Sequence, residues 1–156
     1  MLELRHIAGD DAKDPDEIMR VALRFAHDDN ENFRSSSLKI LDVLAPDMGQ
    51  VICQSFISPE IRSLGSDDSA VVRMSVSRNL LGISRIVSVD FFTSSIFPLY
   101  SQLTNDKDER VRKACAEFVS DISEVSPVKE VGKQLEDIYF RFLKDPTSKL
   151  VRGTAF

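Results

Sequence analysis

The sequence predicts an all-α protein, an α-α superhelix of about four stacked helical hairpins, and three observations carry that reading. Acids recur at a constant interval of 39 residues: Asp28, Asp67, Asp106 and Asp145. Around them apolar residues return at the spacing of one helix face. Punctuation is sparse, with six glycines, six prolines and no tryptophan in 156 residues, too little for the many turns of an all-β fold.

Six residues after the first three acids stand Arg34, Arg73 and Arg112; Arg152 follows Asp145 by seven, which places one extra residue in a turn containing Pro146. Apolar columns keep the same step, among them Ile18/Ile57/Ile96/Leu135, Phe25/Leu64/Leu103/Phe142, Leu41/Leu80/Val119 and Leu44/Ile83/Ile122. Such columns are what similar units sharing one core require. A hairpin of this size cannot bury the apolar faces of both its helices alone, so stacking on neighbours builds the core.

The first unit spans about 15–46. Before it, residues 1–8 read as the remnant of a preceding second helix, since Leu2 and Leu4 fall one period before Leu41 and Val43, and the acid-rich stretch 9–15 reads as a linker. Pro46-Asp47-Met48-Gly49 is expected to link it to the second unit, about 50–86. There Pro59, like Pro98 one period later, sits inside an otherwise helical run, where its missing N–H and its ring kink the helix. In the third unit, about 89–125, Phe92, Ile96, Leu99, Tyr100 and Leu103 line one side of the first helix. Val111, Cys115, Phe118, Val119 and Ile122 line one side of a continuous second. The polar turn Asn105-Asp106-Lys107-Asp108 between them sets its acids where carboxylates cap free N–H groups and meet the positive end of the helix dipole. Ser126-Pro127 leads to the fourth unit, about 128–156, which stops at Ala155-Phe156 before a second helix finishes; the chain therefore reads as one array and a fragment of a longer solenoid.

Composition narrows the function. Twenty-five acids against 20 bases give a net charge of −5, which offers no basic footprint for nucleic acid or an anionic membrane, while 42% apolar residues suffice for a sizeable core. The start Met1 to His6 lacks the apolar stretch of a signal peptide, and Cys53 and Cys115 read as buried thiols of a reducing compartment, so the expected location is the cytoplasm, with the nucleus as a second compartment. His6 and His27 are the only histidines and neither precedes a Glu, which leaves no metal site, no cofactor site and no Ser/His/Asp constellation to argue. His27, beside Asp28, reads as an ordinary helix-terminal side chain. Lys107, Arg110, Arg112 and Lys113 interleave with Asp106, Asp108 and Glu109, a solvated ion-paired face rather than a nucleic-acid stripe. Phe92, Phe97, Tyr139 and Phe142 are core aromatics; Phe91 and Phe140 are not needed by the core columns.

A two-helix unit with Pro in helix one, Asp in the turn and Val-Arg early in helix two resembles the HEAT repeat. Pro98, Asp106, Val111-Arg112 and Ala114 carry the likeness in the third unit, and Pro59, Asp67 and Val72-Arg73 in the second. Over 96–119 and 145–156 the chain further resembles the regulatory and scaffold subunits of type 2A-like protein phosphatases, those serving phosphatases 4 and 2A. The HEAT resemblance implies a ladder between units made by Asp28, Asp67, Asp106 and Asp145 with Arg34, Arg73, Arg112 and Arg152. The phosphatase-subunit resemblance implies a non-catalytic scaffold that holds a phosphatase catalytic subunit and other proteins through its intra-repeat turns; stacking presents these turns as a continuous ridge, on which Asp68, Lys107, Asp108 and Glu109 are the expected contact residues. The other reading is a HEAT adaptor of transport or chromosome-associated assemblies. Two departures stand out: Arg20 and Asp137 replace the helix-one Pro, and Ser35-Ser36-Ser37 replaces Lys113-Ala114-Cys115, from which looser packing of the first unit is expected.

Overall fold

The computed structural model describes residues 14–125 and 129–154. The expected remnant helix at 1–8, the stretch 9–13, Ser126-Pro127 and Ala155-Phe156 lie outside the described residues. Within them every regular element is helical. Helix α1 (Pro15–Ala26) pairs with α2 (Glu31–Ile52); a π-helical turn (Cys53–Ile57) and α3 (Ser58–Leu64) pair with α4 (Ala70–Ser84). Helix α5 (Val89–Phe91), a second π-helical turn (Phe92–Ile96) and α6 (Phe97–Leu103) form the first arm of the third hairpin; α6 packs on α7 (Glu109–Glu117), which α8 (Val119–Val125) follows. Last come α9 (Lys129–Leu143) and α10 (Lys149–Thr154). The second helices α2, α4, α7 and α10 each pack on the next, so the hairpins stack as an all-α solenoid.

The apolar columns become the core. Ile57, Ile96 and Leu135 are buried, as are Leu64, Leu103 and Phe142, while Ile18 and Phe25 at the first unit are half-buried against them. Leu41, Leu80 and Val119, and Leu44, Ile83 and Ile122, fill the layer between successive second helices. Each buried aliphatic side chain contributes about 1.5–3 kcal/mol relative to exposure, so the interfaces between units, rather than any one hairpin, hold most of the stability. Phe92 and Phe97 are buried, Phe91 is half-buried, and Phe140 is exposed. Cys53 and Cys115 are buried free thiols, and burial pushes the Cys115 thiol up to about 12, so it stays protonated.

Four local features differ from the sequence expectation. The linker at 46–49 shrinks to one residue. Helix α2 continues through Pro46 and breaks at Gly49, whose φ of 74° is open to glycine and costly to a residue with a Cβ. The break is sharp: Cys53 Sγ lies 3.3 Å from the Ala45 carbonyl eight residues earlier, where a straight helix would separate such residues by about 12 Å. The run Glu31–Leu64, long and apolar enough to suggest a membrane span, is therefore folded back on itself.

The prolines also act differently from a bare kink. Pro59 and Pro98 each follow a π-helical turn, in which the Ser58 N–H reaches the Cys53 carbonyl and the Phe97 N–H reaches the Phe92 carbonyl, five residues back. The widened turn makes room for the pyrrolidine ring while the helix runs on.

The first unit is not loosely packed at its serines. Ser37 is fully buried and donates to the Arg34 carbonyl at 2.7 Å, and the Ser35 hydroxyl meets that of Ser75 in the next unit at 2.7 Å. Small hydroxyl side chains let α2 and α4 approach and satisfy one another.

The second helix of the third unit is broken at Phe118, between α7 and α8. The buried Tyr100 hydroxyl donates to the Cys115 carbonyl at 2.9 Å, the acceptor that the Val119 N–H would use in an unbroken helix, and the Phe118 N–H closes a tighter turn on the same oxygen at 3.2 Å. The position of Tyr100 is Ile61 in the second unit, where α4 runs unbroken. Replacing Tyr100→Phe is expected to cost about 1 kcal/mol in a urea melt and to slow hydrogen exchange at the Val119 amide as the freed carbonyl takes it up. Unaltered exchange at Val119 contradicts this origin of the break.

Candidate functional site

The intra-unit turns share one local design. Asp28, Asp67 and Asp106 each accept the backbone N–H two residues on, from Asn30, Ser69 and Asp108, at 2.8 Å. Those three residues in turn cap the second helices through Asn32, Val71 and Arg110 N–H groups. In the fourth turn Asp145 accepts from both Thr147 and Ser148, which absorbs the extra residue beside Pro146.

The arginines tie each turn to the next. Arg34 Nη1 takes the carbonyls of Asp28 and Asp29 in its own turn, both at 2.9 Å, while Nε and Nη2 fork onto the Asp67 carboxylate at 2.7 and 2.9 Å. Arg73 does the same with the Asp67 and Asp68 carbonyls and the Asp106 carboxylate. Arg112 binds the Asp106 carbonyl and forks onto Asp145 at 2.7 and 3.2 Å. Each rung thus joins an Arg to the Asp 33 residues later, and the rung side chains are no more than 18% exposed. Among the described residues Asp28 and Arg152 make only the intra-unit half of the pattern: the Asp28 carboxylate on Asn30, and Arg152 on the Asp145 carbonyl.

Burial works to raise the Asp67 and Asp106 carboxyls, and the arginines forked onto them, with the turn N–H groups, outweigh it and hold both below the usual range. The Arg112 guanidinium, with the Ser148 and Thr147 N–H groups, holds Asp145 down at about 2.

The sequence-singled contact residues divide. Asp68, Lys107 and Glu109 project as exposed side chains from backbone that the ladder clamps. Asp108 is half-buried; it caps α7 and pairs with Arg110 at 2.7 Å, which holds it at about 2. Its replacement would cost about 1 kcal/mol of helix stability, so it is a structural residue as well as a surface one. His27 stands exposed with Nε2 3.1 Å from Glu60.

Three open grooves separate the four turns along one edge. The first, about 470 Å³, lies over Arg34 and Asp67; the second, about 390 Å³, over Arg73 and Asp106; the third, about 490 Å³, over Arg112 and Asp145. Sequence reasoning missed two side chains that stitch this edge. Gln102 reaches back to the Gly65 carbonyl at 3.4 Å, and Arg141, its counterpart one period on, reaches back to Asn105 and Thr104. The signal was there, a long polar donor at equivalent positions near two first-helix ends. Among the described residues no cluster of His, Cys, Asp and Glu is disposed to hold a metal ion.

Stacked helical hairpins whose turns form a continuous polar edge define a repeat protein built for contact with other proteins. The HEAT repeat model matches residues 96–126, from the end of the second π-helical turn through the second helix of the third unit. HEAT repeats mediate protein–protein interaction, so at this level the chain's partners are other proteins. No curated protein matches the chain.

The ladder carries a pH signature. A carboxyl depressed in the folded state contributes stability that is complete above its unfolded value, about 3.9, and is lost as pH falls through the folded value. For Asp145 that window runs from about 4 to about 2. Asp145→Asn is expected to be about 1–3 kcal/mol less stable than the parent at pH 7, with the difference closing as pH falls toward 2. Denaturant melts across that range measure it; a difference independent of pH contradicts the ion-pair role.

Proposed function

We propose that the chain is a non-catalytic scaffold whose ridge of turns holds the catalytic subunit of a type 2A-family serine/threonine protein phosphatase together with other proteins. The observation that carries this reading is the ladder itself. It clamps four turns into fixed succession and leaves the side chains of Asp68, Lys107 and Glu109 free for a partner. The likeness of 96–119 and 145–156 to phosphatase scaffold and regulatory subunits selects the partner class. On this reading the array belongs in the cytoplasm, with the nucleus as a second compartment.

Each unit touches only its neighbours, so small changes at successive interfaces add up to bending of the array, which suits a support that carries a catalytic subunit toward varied substrates. Among HEAT adaptors of transport or chromosome-associated assemblies, direct nucleic-acid contact is disfavoured here by the acids that line the first groove.

Purified type 2A catalytic subunit is expected to bind the chain, and the triple reversal Asp68→Lys, Lys107→Glu, Glu109→Lys should weaken that binding at least tenfold with an unchanged thermal melt. Binding untouched by the reversal removes these residues from the contact. Failure of the parent chain to bind the catalytic subunit overturns the phosphatase assignment.

A further inference from the structure

Phe140 is an aromatic side chain outside the core. It stands on α9, 48% exposed, edge-on to Tyr139 with ring centroids 6.0 Å apart, and it walls the third groove. The equivalent positions one and two periods earlier are Ser101 and Arg62, and neither the first nor the second groove has an aromatic wall. The grooves differ in charge as well. With the rungs paired off, the first retains Asp28, Asp29 and Asp68, the second sets Asp68 against Lys107, and the third sets Arg141 and Lys144 against Asp137. Lys144 is exposed and, among the described residues, has no carboxylate within 4.0 Å. The ridge therefore runs from acidic to basic and apolar.

We propose that the third groove is the anchor subsite of the ridge. It seats one large apolar side chain of an extended protein segment against Phe140 and takes that segment's neighbouring carboxylate on Lys144, while basic residues of the same segment lie over Asp28, Asp29 and Asp68. This rests on reading the ridge of turns as a docking surface. Burial of an apolar side chain on Phe140 supplies affinity, and the charge gradient supplies direction, because the opposite placement sets like charges together at both ends. Packed helices stand about 10 Å apart, so the first and third grooves are about 20 Å apart, a span of about six extended residues. The segment is thereby specified: a basic pair about six residues from a Leu-Asp or Phe-Asp anchor. A nucleic-acid strand fits poorly, since its phosphates would meet the first groove's carboxylates.

The test uses the full chain and two fluorescein-labelled peptides of equal composition, Lys-Lys and Leu-Asp separated by six Gly/Ser residues or placed side by side, read by fluorescence anisotropy. The spaced peptide is expected to bind at least fivefold tighter, and Phe140→Ser, which installs the third unit's residue, and Lys144→Glu should each weaken it at least fivefold with unchanged thermal melts. A benzophenone at the Leu position should crosslink within 137–147. Equal binding of the two peptides, no binding at millimolar concentration, indifference to Phe140→Ser, crosslinks elsewhere, or tighter binding of labelled oligouridine would each overturn the proposal. If Phe140→Ser leaves both peptide and phosphatase catalytic subunit bound while the Asp68/Lys107/Glu109 reversal releases the catalytic subunit, the anchor fails and the ridge reading stands.

Discussion

The whole arrangement depends on one guanidinium performing two tasks at once. In Arg34, Arg73 and Arg112 one edge of the planar fork takes a carboxylate of the next unit and the remaining nitrogen takes carbonyls of its own turn. A lysine could satisfy one task but not both, because a point charge on a flexible stem lacks the fork geometry. The carboxylate is equally committed, since the oxygen that faces the arginine also receives the N–H that shapes the turn. Turn conformation, helix capping and inter-unit register thus become one cooperative structure. The apolar columns make stacking favourable; the rungs decide which residues end up opposite one another.

Much of this was legible in the sequence because a solenoid repeats its chemistry at a fixed interval. Asp67, Asp106 and Asp145 betrayed the period, and the arginines six or seven residues later betrayed the partner, although spacing alone did not say that each Arg reaches the acid of the following unit rather than its own. What escaped was whatever breaks the repeat. Tyr100 fits its apolar column by size, and only in three dimensions does its hydroxyl fall on the Cys115 carbonyl and part α7 from α8. Pro46 looked like the start of a linker, whereas the left-handed conformation that turns the chain belongs to Gly49. The π-helical turns before Pro59 and Pro98 escape a side-chain pattern, since each is defined by a backbone N–H that reaches the carbonyl five residues back. At the ridge, the exposure of Phe140 was foreshadowed by its absence from the core columns, but the groove beside it arises from the spacing of two turns and so belongs to the packing.

The same logic separates stability from recognition along this edge. The buried halves of the turn residues, carboxylates of Asp67, Asp106 and Asp145 and carbonyls of their neighbours, face inward on the arginines, and the residues between them supply the outward charge. Asp108 sits on the boundary, because it caps α7 and pairs with Arg110 while remaining near the surface. Outward side chains can therefore vary from unit to unit without disturbing the stack. The change from acidic first groove to aromatic and basic third groove illustrates it.

The claim that rungs fix register is tested most directly by a double-mutant cycle at the central rung, Arg73→Ala, Asp106→Ala and both together, followed by urea unfolding. The account predicts a coupling energy of about 1–3 kcal/mol, with either single variant nearly as unstable as the double. Additive losses within about 0.3 kcal/mol would mean that the guanidinium and the carboxylate act independently, and that apolar packing alone aligns the hairpins.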